Sequence, residues 1–166
     1  MKPPILAHLL LFASACAAAA CTPTHSTMHP YRNDIGLAAE LGARASGQCQ
    51  RQRGNAGLPP HPFTTDGCSA SPDGRWKQCC IEHDIAYWCG GDAQARRHAD
   101  EVFRRCVAEK TGNAPLACLM YGTLRLSGAP WLPFPWRWAY GWDGIRGYDA
   151  ASTHPTAPPR GAEDAR

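Results

Sequence analysis

The sequence predicts a mainly α domain, stabilised by disulfides, with two antiparallel helices at its centre. Three observations predict it. First, the stretch Cys79-Cys80-Ile81-Glu82-His83-Asp84-Ile85-Ala86-Tyr87 suits a helix. At 3.6 residues per turn it puts Cys80, His83, Asp84 and Tyr87 on one face. Second, Ala95, Ala99, Val102, Phe103, Cys106 and Val107 repeat at helical spacing after a Gly90-Gly91 break, so a second helix folds back on the first. Third, nine cysteines in 166 residues are many for this length, and a secretory leader would allow them to pair.

The leader is legible at the start. Met1 and Lys2 give a positive end, Ile5 to Phe12 is an apolar run broken by His8, and small residues follow to Cys16 and Cys21. This has the form of a secretory signal peptide over residues 1–21, too short to span a membrane by itself. Alanines before each cysteine suit ordinary cleavage or cleavage ahead of a lipidated cysteine. Cys21 is the preferred anchor, with Cys16 as its rival. Residues 22–33 then form a polar tether, 34–149 the domain, and 150–166 a polar, Pro-rich disordered tail. The chain is thus expected to be exported, as a cell-envelope lipoprotein or as a periplasmic or secreted protein. Seven cysteines remain in the mature part, and parity leaves one unpaired.

A net charge of +3, with 44% hydrophobic and 19% charged residues, fits one folded domain and is too weak a bias for nucleic acid. Asp34 to Gln50 reads as a short helix through Ile35, Ala38, Ala39, Leu41 and Ala45. Arg51 to Pro62 is a Gly/Pro loop. Phe63 to Gly74 is rich in turn formers. By itself it reads as a connection, although Gly and Ser also let carbonyls turn inward around an ion.

The central helix is expected from about Arg75 to Cys89. Asp92 caps the next, which runs to about Lys110. Asp100 lies at the edge of the apolar stripe, where it can face His83. Taken singly it reads as a surface carboxylate, as most helical aspartates do. Arg96, Arg97, Glu101, Arg104, Arg105 and Glu109 are assigned to the other faces. Asn113 caps a last helix with Pro115 in its first turn, and Leu116, Leu119, Met120, Thr123 and Leu124 read as its packing face. From Gly128 onward Trp131, Phe134, Trp136, Trp138, Tyr140 and Trp142 crowd among Pro130, Pro133 and Pro135. They are expected to wrap the core as a braced arm, or to leave one or two Trp for a lipid interface.

The Cys79-Cys80-x-x-His83-Asp84 stretch with Tyr87, preceded by Asp66-Gly67-Cys68-Ser69 and Ser71-Pro72-Asp73 and followed by Ala99-Asp100 with Cys106, resembles the secreted phospholipase A2 superfamily, bacterial and fungal members most of all. The resemblance covers Phe63 to Cys106. It implies a phospholipase A2-like fold with a calcium loop, disulfides Cys68 to Cys80 and Cys79 to Cys106, and a Ca2+ ion on Asp84 with Asp66 or the Gly67 carbonyl. It also implies His83 as general base, Asp100 holding its other nitrogen, and Tyr87 on Asp100. Cys89 with Cys118 is then the third expected pair, leaving Cys49 over. The implied activity is calcium-dependent hydrolysis of a glycerophospholipid ester by His-activated water, by a monomer working at a phospholipid membrane surface. Two other readings compete. One is a catalytically silent envelope binding protein on the same scaffold, and the other is a zinc site using Cys79, Cys80 and His83.

Overall fold

The computed structural model of the chain describes residues 34–69 and 74–150. The expected leader with Cys16 and Cys21, the tether, the loop residues Ser71, Pro72 and Asp73, and the tail after Ala150 lie outside the described residues. Among the described residues there are four α-helices and no strand: α1 (Ile35–Arg53), α2 (Lys77–Cys89), α3 (Ala93–Thr111) and α4 (Ala114–Ser127). A single 3-10 turn, Gly54–Ala56, follows α1.

The helix ends follow their capping residues. Asp34, Asp92 and Asn113 each accept a backbone N–H three residues on, from Leu37, Ala95 and Leu116, which satisfies one orphan donor of the first turn. Gly112 ends α3 in the left-handed region at φ 67°. The start of α2 differs from expectation. Arg75 and Trp76 form a turn, helix begins at Lys77, and Trp76 gives no side-chain cap.

α2 and α3 are antiparallel, since Cys79 meets Cys106, His83 meets Asp100 and Phe103, and Tyr87 meets Arg96. The buried residues form two clusters along α2. Its N-terminal half packs Cys79 and Cys80 with Cys68, Phe103, Val107 and Ala117. Its C-terminal half packs Ile85, Trp88 and Cys89 with Ala45 and Cys49 of α1 and with Trp138 and Tyr140 of the C-terminal arm.

The arm closes the end of α2. A helix leaves its last carbonyls without intrahelical donors. Here the Ala139 N–H donates to the Tyr87 carbonyl at 2.7 Å, the Gly141 N–H to that of Trp88 at 3.3 Å, and Trp142 Nε1 to that of Cys89 at 2.8 Å. Gly90 makes this approach feasible. Its φ is 74°, and a Cβ there would stand 2.7 Å from that of Ala139. The expected aromatic wrap is therefore present, with Trp138 and Tyr140 buried and Trp131 and Phe134 exposed.

Among the described residues three disulfides are formed: Cys68–Cys80, Cys79–Cys106 and Cys49–Cys89. The first two are the pairs the resemblance implies. The third corrects the expectation. Cys89 takes Cys49, and Cys118 is free and exposed. The reason is geometric. Leu41, Ala45 and Cys49 recur at i, i+4 and i+8 and form the buried face of α1, so Cys49 is delivered to the end of α2. Cys118 is on the outer side of α4 and cannot reach it. Each bridge constrains the unfolded chain by about 2–4 kcal/mol, which matters where the apolar core is small.

Candidate active site

The inner face of α2 carries His83 and Tyr87 one turn apart, and α3 brings Asp100 between them. His83 Nε2 is 2.8 Å from Asp100 Oδ1, and Tyr87 Oη donates to the same oxygen at 2.8 Å. Asp100 is 0% exposed. Burial works to raise its carboxyl, but the bonds and charge of His83, then Arg125 and Tyr87, outweigh this and hold it below the usual carboxylate range. An ionised carboxylate only accepts, so the ring nitrogen facing it is the protonated one. In the neutral ring the lone pair is then on Nδ1. Burial, with the Asp100 charge, pushes the Tyr87 phenol far above its ordinary value, so it stays a neutral donor.

Asp84 follows His83 and turns toward the Phe63–Ser69 segment. Thr65 donates its hydroxyl to Asp84 Oδ2 at 2.6 Å and accepts the Gly67 N–H at 3.0 Å. Ser69 donates to Asp66 Oδ1 at 2.8 Å. Burial pushes the Asp84 carboxyl well above the usual range, the Thr65 bond opposes this, and the Asp66 charge adds to the rise. The site thus gathers the carboxyls of Asp84 and Asp66 and the hydroxyls of Thr65 and Ser69, all hard oxygens. This donor chemistry fits a hard divalent cation better than a soft one. Among the described residues no three His, Cys, Asp or Glu side chains converge on one point, so such an ion would need backbone or water oxygens as well. The zinc reading is overturned, because Cys79 and Cys80 are both in disulfides.

His83 and Asp84 open onto a cavity of about 360 Å3. It is lined by the Cys68–Cys80 bridge, by Phe103, by Met120 and Leu124 of α4 and by Trp136 of the arm. A second expectation is met only in part. Of the stripe read as packing, Met120 and Leu124 do pack against the core, but with Leu119 and Thr123 they also line this hollow, and Leu119 is 69% exposed. The buried residue of α4 is Ala117, small enough to let α4 sit close to α3.

A third correction concerns Arg96, assigned to an outer face but 2% exposed. It donates from Nε to Tyr87 Oη, from Nη1 to Tyr148 Oη, and from Nη2 to the carbonyls of Leu124 and Arg125. Its spacing was a usable signal, since it stands four before Asp100 and seven before Phe103, on the inner stripe. Val102, by contrast, is exposed. Other contributors gave no such signal. Thr65 is in an aperiodic segment, Arg125 reaches Asp100 Oδ2 at 2.6 Å from α4, and Tyr140 Oη donates to the carbonyls of Thr64 and Asp84 from the arm.

Compared with known proteins, the chain matches no family model, no curated sequence and no solved structure.

Proposed function

We propose that the protein is a calcium-dependent phospholipase A2-like esterase that cleaves an ester of a glycerophospholipid with water activated by His83. The observation that carries this reading is the 2.8 Å contact of His83 Nε2 with a buried Asp100, on the wall of an apolar hollow and one residue from Asp84. The motif resemblance over Phe63 to Cys106 agrees with it.

In this reading the hollow takes an acyl chain and excludes water from the rest of the site. His83 Nδ1 removes a proton from the attacking water. Asp100 keeps the ring in the tautomer that makes Nδ1 basic and stabilises the imidazolium that forms, as a buried carboxylate does in serine hydrolases. Tyr87 and Asp100 keep each other oriented. The imidazolium then returns its proton to the leaving alkoxide. A Ca2+ ion held by Asp84, with Asp66 or the Gly67 carbonyl, supplies polarisation of the ester carbonyl and charge against the developing oxyanion. No side-chain nucleophile is needed.

The partner surface is a phospholipid membrane. Leu119 at the edge of the hollow, Leu126 two turns further along α4, and Trp131 and Phe134 of the arm are exposed apolar groups, which an aqueous surface does not favour and a lipid interface does. No helix among the described residues is long and apolar enough to cross a membrane. Three disulfides agree with an oxidising, exported location.

The test is fatty-acid release from phosphatidylcholine and phosphatidylglycerol vesicles, with millimolar calcium or with EGTA. Release by the wild type that EGTA stops, and that His83→Gln abolishes with an unchanged circular dichroism spectrum, is expected. Vesicle binding without release would identify the silent binding protein instead. Full activity of His83→Gln would refute the assigned base.

A further inference from the structure

We propose that Arg125 is a positioning residue for Asp100: from α4 it fixes the carboxylate whose other oxygen sets the tautomer of His83. The inference rests on the hydrolytic reading for its kinetic consequence, but its structural part stands on contacts alone.

Asp100 Oδ1 faces His83 Nε2 and Tyr87 Oη, both at 2.8 Å. Contacts on Oδ1 alone restrain the carboxylate but leave Oδ2 some freedom to swing about the soft terminal torsion. Arg125 Nη1 on Oδ2 at 2.6 Å removes that freedom. Arg96 does not substitute for it. Its Nε is 3.9 Å from Oδ2, and its donors are engaged by two phenols and two carbonyls.

Arg125 is held in place from its own side. Arg96 Nη2 donates to the Arg125 carbonyl at 2.8 Å and to that of Leu124 at 3.0 Å. Three residues on, Gly128 presses against Tyr87 so closely that a Cβ would stand 2.6 Å from the ring. The C-terminal turn of α4 is therefore docked on the same Tyr87 and Asp100 that orient His83. Leu124, the residue before Arg125, lines the hollow. One turn of helix thus touches both the space for the ligand and the carboxylate behind the base. Which ring nitrogen of a histidine carries the proton is set by the partner of the other, so a carboxylate free to turn would let the ring exchange tautomers.

The experiment compares wild type with Arg125→Met and Arg125→Lys, using 15N-histidine NMR at fixed neutral pH beside the vesicle assay. The His83 signal is assigned by its absence in His83→Gln. Wild type and Arg125→Lys are expected to show the Nε2–H tautomer. Arg125→Met is expected to show a mixture of both tautomers and a kcat lower by about 10- to 100-fold, the usual cost of a misplaced catalytic group, with KM within about twofold. Unchanged tautomer and kcat in Arg125→Met would overturn the proposal, and so would equal loss in Arg125→Lys and Arg125→Met. If Arg125→Met fails to fold by circular dichroism, Arg125→Gln, too short to span the contact, is read in its place. If the wild type releases no fatty acid, the hydrolytic reading fails, while the NMR comparison still decides the role of Arg125.

Discussion

Replacing Arg96 by Met tests how the candidate site is held together. Four hydrogen bonds end on this one buried guanidinium. Bonds to a charged group contribute about 1.5–3 kcal/mol each, so simple addition would give a loss larger than many whole domains can bear. The structure shows why addition fails. The Tyr87 hydroxyl still donates to Asp100. The Leu124 carbonyl still accepts the Gly128 N–H at 2.9 Å. Tyr148 is half-buried, and water can replace its lost partner. Only the Arg125 carbonyl loses a contact without an evident substitute, at a cost of about 1–3 kcal/mol. The aliphatic stem is kept by Met, and the guanidinium no longer needs to be desolvated.

The expected loss is thus about 1–3 kcal/mol, which at about 4 °C per kcal/mol is about 4–12 °C in Tm for a domain of this size. Urea unfolding followed by tryptophan fluorescence measures it, with Tm as a second reading. Arg96→Lys should lose roughly half as much, because an ammonium lacks the planar fork that reaches phenols and carbonyls together. A loss below about 1 kcal/mol for Arg96→Met would refute the reasoning. It would mean that apolar contacts and the Arg125–Asp100 pair suffice to hold α4 on α3.

Two further predictions follow from burial and from the disulfide pattern. Burial raises the Asp84 carboxyl in the folded state, so between its ordinary value and the raised one the native chain holds a proton that the unfolded chain has lost. Stability then falls as pH rises through that interval. Asp84→Asn should therefore be more stable than wild type at pH 7 in EGTA, and should lose the calcium-induced rise in Tm, about 2.7 kcal/mol at a hundredfold excess over Kd. Thermal melts across pH, with and without calcium, check this, and equal calcium stabilisation of both proteins would contradict it. Asp100 has the opposite sign, since its depressed carboxyl adds stability that is lost as pH falls through its native value. For the cysteines, alkylation of the unreduced protein followed by peptide mapping should label Cys118 and not Cys49. Cys49→Ser should cost about 2–4 kcal/mol in chemical denaturation.

Periodicity determined the helices, and with them the meeting of His83, Tyr87 and Asp100. Spacing of 3.6 residues reports which side chains share a face. The Gly90-Gly91 break forces the second face back onto the first. Both are local properties, so the chain order alone contains them. The same is true of the caps at Asp34, Asp92 and Asn113. Other features depend on distances between elements far apart in sequence. Cys49 takes Cys89 across 40 residues because α1 ends beside the end of α2, and no spacing rule states that. Arg125 meets Asp100 only because Ala117 allows α4 to lie close to α3. Leu119, Met120 and Leu124 line the hollow, and a stripe with helical spacing looks the same whether it faces a core or a cavity. Arg96 is the clearest case. Its position on the inner stripe was written in the sequence, but a charge there is tolerable only when two phenols and two carbonyls surround it. Three different segments of the fold, α2, α4 and the arm, supply them.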